Sequence, residues 1–301
     1  MTSVVKSLKD KELITPPSFL ATNVHYEAMT GSISYGVSSD NSDMDVIGWC
    51  IPPKYIVFPH TAGFITGFGR FDKPEVFEQY QQHHIQDLSA CKGKGQEYDV
   101  TIYNIVKYFM LCMECNPNMV DSLFVPSNCI LHITQIGQMV REKRQIFLCK
   151  LAWHRFKGYA HSQIHKMENK NPEGKRKELV EQFGYDVKFA YHIVRLLGEI
   201  EQILTEGDLD LQRNREQLKA IRRGEWKQEE IIEYFNKREK ELESVYDNST
   251  LPHKPREAEI KELLLECLEH HYGSLDKCIV SEDKLEKALR EISNIANKVL
   301  R

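Results

Sequence analysis

Two aspartates, Asp43 and Asp45, are separated by a single residue in the segment "SDMDVIG". If this segment is a β-strand, both carboxylates point to the same side, because successive side chains alternate between the two faces. Like charges this close repel each other, and proteins tolerate them when the pair is solvated, when one carboxyl is protonated or when a divalent cation lies between them. Because Val46, Ile47 and Trp49 predict that a buried strand begins immediately, the cation is favoured over a solvated turn.

A glycine and a serine, Gly31 and Ser32, precede this pair in the segment "GSISYG". Glycine permits close approach of the backbone to a phosphate, and serine adds a hydroxyl donor. Magnesium prefers carboxylate oxygens together with substrate phosphates, and two-metal sites hold their ions roughly 3.5–4 Å apart around an in-line displacement. The combination therefore predicts a metal-dependent transfer of a phosphorus-containing group. The chain has no G-x-x-x-x-G-K-[ST] motif, so it is not a P-loop protein.

The elements that must position these residues differ between the two halves of the chain. In the first half, "MDVIGWCI" and "EYDVTIYNIV" predict strands, and "TAGFITGFGRF" predicts a strand or loop. After about residue 140, apolar residues recur at helical spacing in five segments: "LAWHRFKGYAHSQI", "DVKFAYHIVRLLGEIEQIL", "QEEIIEYFNKREKELESVY", "EAEIKELLLECLEHHY" and "EDKLEKALREISNIANKVL". Gly207 is expected to end the second of these helices.

The order of these elements predicts an α+β fold, with a small mixed-sheet domain followed by a mostly helical domain. We place the first domain at residues 1–130 and the second at residues 131–301.

The glycine-serine pair followed by Asp-x-Asp at the start of a strand resembles the signature of the DNA polymerase β nucleotidyltransferase superfamily. The stretch "GSISYG…SDMDVIGWCIPP" is similar to the branch of that superfamily associated with RNA repair. Further blocks at 98–124, 156–167, 184–197 and 218–226 resemble successive segments of the same branch, so the resemblance covers most of the chain.

The resemblance implies a third carboxylate on a neighbouring strand. The best match to the expected apolar-acid-apolar pattern is Asp99, between Tyr98 and Val100. Glu97 has the same parity on the strand and is the substitute, with Asp87 a more distant candidate. The alternative for Asp99 is a structural role at a strand end or helix cap.

Three basic residues of the second half, Lys188, His192 and Arg195, fall at i, i+4 and i+7, which aligns them on one helix face. The resemblance favours a role in holding the triphosphate of a nucleotide, with Lys188 and Arg195 as the main contacts. The alternative is an ordinary solvated face.

A neighbouring segment, "FKGYAHSQ", carries side chains that suit recognition of a base. These residues are Lys157, Tyr159, Ser162 and Gln163. Downstream of the predicted strand at 97–106, Asn116 and Pro117 are expected to end the helix that follows it.

Cysteines and paired histidines offer weaker signals. Cys112 and Cys115 have the spacing of a zinc or redox motif, but no second pair of ligands is evident and the surrounding run is apolar, which favours helix core. The adjacent histidines His83–His84 and His270–His271 likewise lack a suitably spaced further ligand, so we expect them at the surface.

Composition narrows the class of protein without naming a ligand. The chain has 301 residues, with 41% hydrophobic and 28% charged residues and a net charge of −4, as in an ordinary globular protein. This charge argues against broad nonspecific affinity for nucleic acid, although a local basic groove would remain compatible with it. No apolar run is long enough for a membrane span or typical of a signal peptide, so we expect no membrane association and a cytoplasmic location.

Taken with the resemblance, these residues predict transfer of a nucleoside monophosphate from an NTP, with ATP favoured, to a hydroxyl acceptor, and pyrophosphate leaves. Asp43 and Asp45 would hold two Mg²⁺ or Mn²⁺ ions, and Asp99 would hold the ion at the acceptor and help to activate its hydroxyl. Gly31 and Ser32 would contact the phosphates. The resemblance points to RNA, including tRNA, as acceptor. Two alternatives remain: the same chemistry on a protein or small molecule, and an inactive nucleotide- or RNA-binding module. The sequence leaves the oligomeric state open.

Overall fold

A computed structural model describes residues 2–38, 43–57, 77–169 and 173–273 of the chain. The first part contains five strands: β1 (Val24–Met29), β2 (Met44–Cys50), β3 (Gln79–Asp87), β4 (Gln96–Asn104) and β5 (Ile130–Ile133). Short helices accompany them: α1 (Val4–Asp10), α2 (Leu20–Asn23), α3 (Lys54–Val57), α4 (Ala90–Gly93), α5 (Ile105–Met113) and α6 (Pro117–Phe124).

The rest of the described chain is helical. It comprises α7 (Gln135–Glu142), α8 (Leu151–Asn169), α9 (Lys175–Phe183), α10 (Val187–Glu206), α11 (Arg215–Arg222), α12 (Gln228–Asn248) and α13 (Glu257–Tyr272). The α+β prediction is therefore confirmed, with a mixed sheet followed by helices.

The five strands form one sheet in the order β3-β4-β2-β1-β5. Strands β2 and β4 are parallel, and the other neighbouring pairs are antiparallel. Both predicted strands, β2 and β4, lie at the centre of the sheet, where their apolar residues are covered. The three strands that sequence analysis did not identify flank them.

Helix α10 is the centre of the helical part and packs against α8, α11 and α12. The Asp186 side chain accepts a hydrogen bond from the Lys188 backbone N–H and caps its N-terminus. Gly207 ends it in the left-handed conformation, with φ of 63°, as predicted. Four of the five predicted helices are present as α8, α10, α12 and α13; the fifth, at 282–300, and the segment "TAGFITGFGRF" lie outside the described residues.

One hydrophobic core extends from the sheet into the helices. It contains Tyr26 and Trp49 from the strands as well as Tyr191 from α10 and Leu242 from α12. The boundary predicted at residue 130 falls on the first residue of β5, which belongs to the sheet. The division into two domains stays a prediction.

Cys112 and Cys115 are fully buried in this core, as the apolar run indicated. Cys115 lies beyond the end of α5, and its Sγ atom faces that of Cys149 at 3.5 Å. The helix after β4 ends at Met113, and Asn116 caps the next helix, with Pro117 in its first turn. None of the described helices is both long enough and apolar enough to cross a membrane.

Candidate functional site

Two of the predicted acids meet on the central strands of the sheet. Asp45 on β2 and Asp99 on β4 are register partners in the parallel pair, so their side chains leave the same face at neighbouring positions. Asp43 is exposed and lies just before the first residue of β2. The register thus pairs Asp99, not Glu97, with Asp45. Asp87 is elsewhere, in an ion pair of 2.6 Å with Lys11.

The electrostatics of Asp45 reflect this crowding. Burial, followed by the charges of Asp99 and Asp43, raises the pKa of Asp45 to about 6, and Lys188 partly offsets the rise. Among the described residues, no side chain or backbone N–H donates a hydrogen bond to the Asp45 carboxylate. A carboxylate in this position gains from a cation that the protein itself does not supply.

The turn at 31–36 brings the backbone against this carboxylate. Gly31 has a φ of 65°, and a Cβ atom at this position would overlap the Asp45 carboxylate, so glycine is needed here on two counts. The Ser34 hydroxyl donates to the Gly31 carbonyl at 2.9 Å, and the Val37 N–H donates to the Ser32 carbonyl at 2.9 Å. Ser32 is half-buried in this turn, and no hydrogen bond of its hydroxyl is found within the described parts of the chain.

A cleft of about 240 Å³ opens over the two acids. Its lining comes from the turn, the strands, the start of α6 and α10, and comprises Thr30, Gly31, Tyr35, Asp45, Val46, Ile47, His83, Asp99, Thr101, Asn118 and His192. The cleft therefore lies where the sheet meets the helices, with the acids on its sheet side.

Helices α9, α10 and α11 bring positive charge towards the acids. Lys188 is exposed as a residue, but its ammonium group is partly buried among neighbouring atoms, and this burial lowers its pKa. The charges of Arg176 and Arg222 also lower the pKa, whereas Asp45 and Asp43 act in the opposite direction. Arg222 donates a hydrogen bond to the Val37 carbonyl next to the turn, and its guanidinium lies 5.4 Å from the ring centre of Tyr191. Arg176 and Arg222 thus lie within electrostatic range of Lys188, which in turn is within range of Asp45 and Asp43; we call these three basic residues the basic wall.

The structure corrects the expectation for Arg195, which does not face the cleft. Only 3% of Arg195 is exposed, and its Nη1 donates to Asp121 and to Glu199, the latter at 2.9 Å. The guanidinium also lies 4.3 Å from the ring centre of Tyr35, whose hydroxyl donates to Asp121 at 2.6 Å. Arg195 is therefore engaged in a buried ion-pair network that holds the 31–36 turn against α10.

His192, predicted on the same face, does line the cleft. Burial, followed by the charges of Arg195, Lys188 and other cations, holds the pKa of His192 well below its usual value, so its ring is neutral. Its Nδ1 atom is buried and has no hydrogen-bond partner among the described residues.

The predicted base-recognition residues divide between two environments. Tyr159 and Ser162 line a second cleft of about 330 Å³ together with Arg155, His154 and the start of α6 at Asn116 and Pro117. Gln163, in contrast, is 4% exposed and faces the core. Lys157 pairs with Glu239 and Glu243 at 3.4 and 3.6 Å. The proposed set of four is thus reduced to two residues that a ligand could reach.

Both histidine pairs have partners that sequence analysis missed. His83 and His84 are exposed, as expected, but they contact the acids of β4: His83 Nδ1 lies 3.4 Å from Asp99, and His84 Nδ1 lies 2.6 Å from Glu97. In the second pair the expectation is wrong for His271, which is partly buried and lies 3.0 Å from His25.

Several residues of the site carried no recognisable signal of their own. Arg222 lies in the block at 218–226 that resembles the family, but nothing in the sequence distinguishes it from the other charged residues of that block. Asp121 and Tyr35 become identifiable only through contacts over 74 and 86 residues of sequence.

A comparison with models of protein families identifies the family of the chain. The sequence model for "RlaP: RNA repair pathway DNA polymerase beta family" matches residues 8–277. No curated protein and no solved structure gives a match. Because the family match covers most of the 301 residues, the chain belongs to the RlaP family of RNA-repair-associated DNA polymerase β proteins.

Proposed function

We propose that this protein transfers a nucleoside monophosphate from an NTP, with ATP favoured, to a hydroxyl group of an RNA acceptor. The observation that carries the proposal is the register pairing of Asp45 with Asp99 beneath a cleft, next to a glycine turn that admits no side chain. Family membership supports the class of reaction. The polynucleotide acceptor and the preferred nucleotide are part of the proposal.

The donor set fits hard divalent cations. Asp43, Asp45 and Asp99 offer oxygen ligands, and the raised pKa of Asp45, caused first by burial and then by Asp99, marks a carboxylate whose charge is insufficiently compensated. We propose that these three residues hold two Mg²⁺ or Mn²⁺ ions, with Asp43 and Asp45 shared between them. When bound, such ions stabilise charge on the attacking and leaving oxygens of the transfer.

The chain's own residues then orient the nucleotide. The 31–36 turn would place Gly31 and the Ser32 hydroxyl beside the phosphates, because the absence of a side chain at Gly31 lets the backbone of the turn lie directly against the Asp45 carboxylate. Lys188 and Arg222 of the basic wall would neutralise the triphosphate from the helical side. Arg195 acts indirectly, since its contact with Tyr35 holds the turn in place.

Asp99 lies on the side of β4 towards β3, where we propose that the acceptor hydroxyl enters. There its carboxylate can orient the hydroxyl and accept its proton as the bond to the α-phosphorus forms. The second cleft supports an extended acceptor, because Asn116 and Pro117 line it while Asn118, in the same turn of α6, lines the first. Arg155 and Tyr159 there suit a phosphate and a stacked base.

A transfer assay tests this proposal. The protein is incubated with each α-labelled NTP in turn and with total RNA, tRNA or total protein, and the Asp99→Asn variant is run beside it. We expect label to enter RNA with Mg²⁺ or Mn²⁺, and to be lost in the variant. Label in protein would instead place the acceptor in another class of molecule, and absence of label in every fraction would indicate an inactive binding module.

A further inference from the structure

The edge strand β3 carries a β-bulge opposite Asp99. Gln82 pairs with Val100 and Ile85 pairs with Tyr98, so two residues, His83 and His84, face a single residue of β4. An extra residue in one strand bends it and re-aims its side chains. The bulge thus turns both histidines towards the carboxylates of β4.

The backbone of His84 is adapted to this arrangement. It has a φ of 56°, in the left-handed region that residues other than glycine rarely adopt. Its N–H donates to Oδ1 of Asp99 at 2.8 Å. This bond fixes the Asp99 carboxylate and the His84 ring on the same side of the sheet.

Three side chains that can bind a metal ion meet here. The ligand atoms of His84, Glu97 and Asp99 all lie within 4.8 Å of one another. Within the described ranges, this is the one set of three histidine, cysteine or acidic side chains so closely gathered, and the three aspartates of the proposed catalytic site are more widely spaced. The cluster therefore differs from that site in its members and in its donor chemistry.

His83 supports the cluster from the side. Its Nδ1 lies 3.4 Å from Oδ2 of Asp99, and its Nε2 lies 2.6 Å from the side-chain nitrogen of Gln81. Hydrogen-bonded neighbours of this kind orient the ligands of metal sites and raise their affinity. Because both ring nitrogens of His83 already have partners, His84 is the better nitrogen ligand.

We propose that His84, Glu97 and Asp99 form a binding site for a divalent transition-metal ion, with Zn²⁺ the best match. One imidazole nitrogen and two carboxylate oxygens suit zinc, which commonly takes three protein ligands and leaves a fourth position to water. Magnesium prefers an all-oxygen octahedral shell and is a poor match. His84 is 81% exposed at its side chain, so an ion can enter from solvent.

An ion at this site shares Asp99 with the proposed catalytic centre. If the proposed function is correct, Zn²⁺ bound here draws the Asp99 carboxylate away from the acceptor hydroxyl and lowers Mg²⁺-dependent transfer. The site itself does not depend on that function, because it is defined by the three side chains alone.

Metal binding is measured directly, on the full chain without nucleotide. Zn²⁺ is titrated by calorimetry, and Co²⁺ is used as a spectroscopic probe of the ligand set. We expect one ion per chain at this site, and a loss of affinity of at least about tenfold in His84→Ala and in Glu97→Gln. Thermal melts of the metal-free variants check that they are folded.

Two control variants make the result specific. His161 lies 3.0 Å from Glu239 in a similarly exposed histidine-carboxylate pair without a third ligand, so His161→Gln should bind Zn²⁺ as the parent does. Asp43→Asn should also retain Zn²⁺ binding while nucleotide transfer is lost, which separates this proposal from the proposed function. Unchanged Zn²⁺ affinity in folded His84→Ala, or no binding to the parent at micromolar Zn²⁺, would overturn the inference.

Discussion

Two regions of the molecule each bring three charged groups together, one beside the cleft and one on the buried side of α10. They differ in how these charges are compensated. Arg195, Asp121 and Glu199 lie almost completely buried and bonded to one another. Asp45, in contrast, lies beside Asp99 on the neighbouring strand. Lys188 is within electrostatic range of Asp45 but forms no ion pair with Asp45 among the described residues. The opposite charges of the first arrangement contact one another directly, whereas the second places two carboxylates side by side, with no cation in contact with Asp45 among the described residues.

This difference separates structural charges from functional ones. A buried ion pair contributes little net stability when intact, but removal of one member leaves an uncompensated charge and is strongly destabilising. A carboxylate that repels its neighbour instead lowers the stability of the folded protein and can be removed without loss of structure. The sign of the change in stability on mutation therefore distinguishes the two regions.

The largest expected effect on nucleotide transfer is that of a substitution at Asp45. Because the pKa of Asp45 rises from the model-compound value to about 6, the folded protein binds a proton more tightly than the unfolded chain, and stability falls as pH rises through this window. At pH 7.5, Asp45→Asn should increase the free energy of unfolding by up to about 3 kcal/mol without metal. The same variant should lose nucleotide transfer by roughly 10²-fold or more.

Asp87→Asn is the matched control, since Asp87 is a buried carboxylate that has partners in Lys11 and Ser89. Asp87→Asn should lower the free energy of unfolding, whereas Asp45→Asn should raise it. Denaturant unfolding with and without Mg²⁺ makes the comparison. If metal-free Asp45→Asn unfolds at a lower denaturant concentration than the parent, Asp45 is chiefly structural and the cation interpretation is wrong.

Helix α10 offers the second test, because it carries one cation of the buried network, Arg195, and one cation of the basic wall, Lys188. Arg195→Ala should lower the free energy of unfolding by about 3–5 kcal/mol, since Asp121 and Glu199 remain buried without the positive charge that compensates them. Lys188→Ala should leave the fold intact and raise KM for the NTP roughly tenfold, as expected for one lost charged contact.

Arg213→Ala serves as the control for the loss of an arginine, because its ion pair with Glu206 is about half exposed and should contribute little to stability. A stable Arg195→Ala variant with an increased KM would show instead that Arg195 contacts the nucleotide, as its position in the sequence suggested.

The contrast also explains what could be predicted from the sequence. The apolar residues after Asp45 were enough to predict the strand that carries it, whereas Asp43 lies just before that strand. The family resemblance led to Asp99, which the parallel pairing of β2 and β4 places in register with Asp45. Helical spacing located Arg195 on a face of α10 but could not reveal what covers that face. Its partner Asp121 lies 74 residues away, and no local pattern connects the two.

Strand β3 was missed for a related reason. Its sequence, "QYQQHHIQD", is almost entirely polar because it lies at the edge of the sheet, and only Ile85 and Asp87 are buried. Without that strand, the contact of His83 and His84 with the acids of β4 could not be anticipated. Local propensity describes how a segment folds, but the bulge depends on its pairing with β4.

The smallest effect on stability is expected for a third polar cluster, in which the histidine rings are uncharged. His25 on β1 lies 2.8 Å from the Thr134 hydroxyl and 3.0 Å from His271 of α13, and Asn23 also contacts His271. Burial, then the charges of His271 and His132, lowers the pKa of His25 to about 3, and burial together with Lys54 lowers the pKa of His271. The folded protein therefore keeps these rings neutral at pH values where the unfolded chain takes up protons.

For a histidine whose pKa is lower in the folded state, the stabilising contribution is complete above about pH 6.5 and declines as pH falls towards 3. As the pH falls from 7 to 5.5, His25 should thus lower the free energy of unfolding of the parent by about 1 kcal/mol. His25→Gln should remove this part of the pH dependence. Denaturant unfolding of both proteins at the two pH values measures the difference, in which the opposite contribution of Asp45 cancels. His165→Gln, at an exposed histidine of α8, should retain the slope of the parent. If His25→Gln also retains that slope, His25 is protonated in the folded protein, and the contact between α13 and β1 includes a buried charge after all.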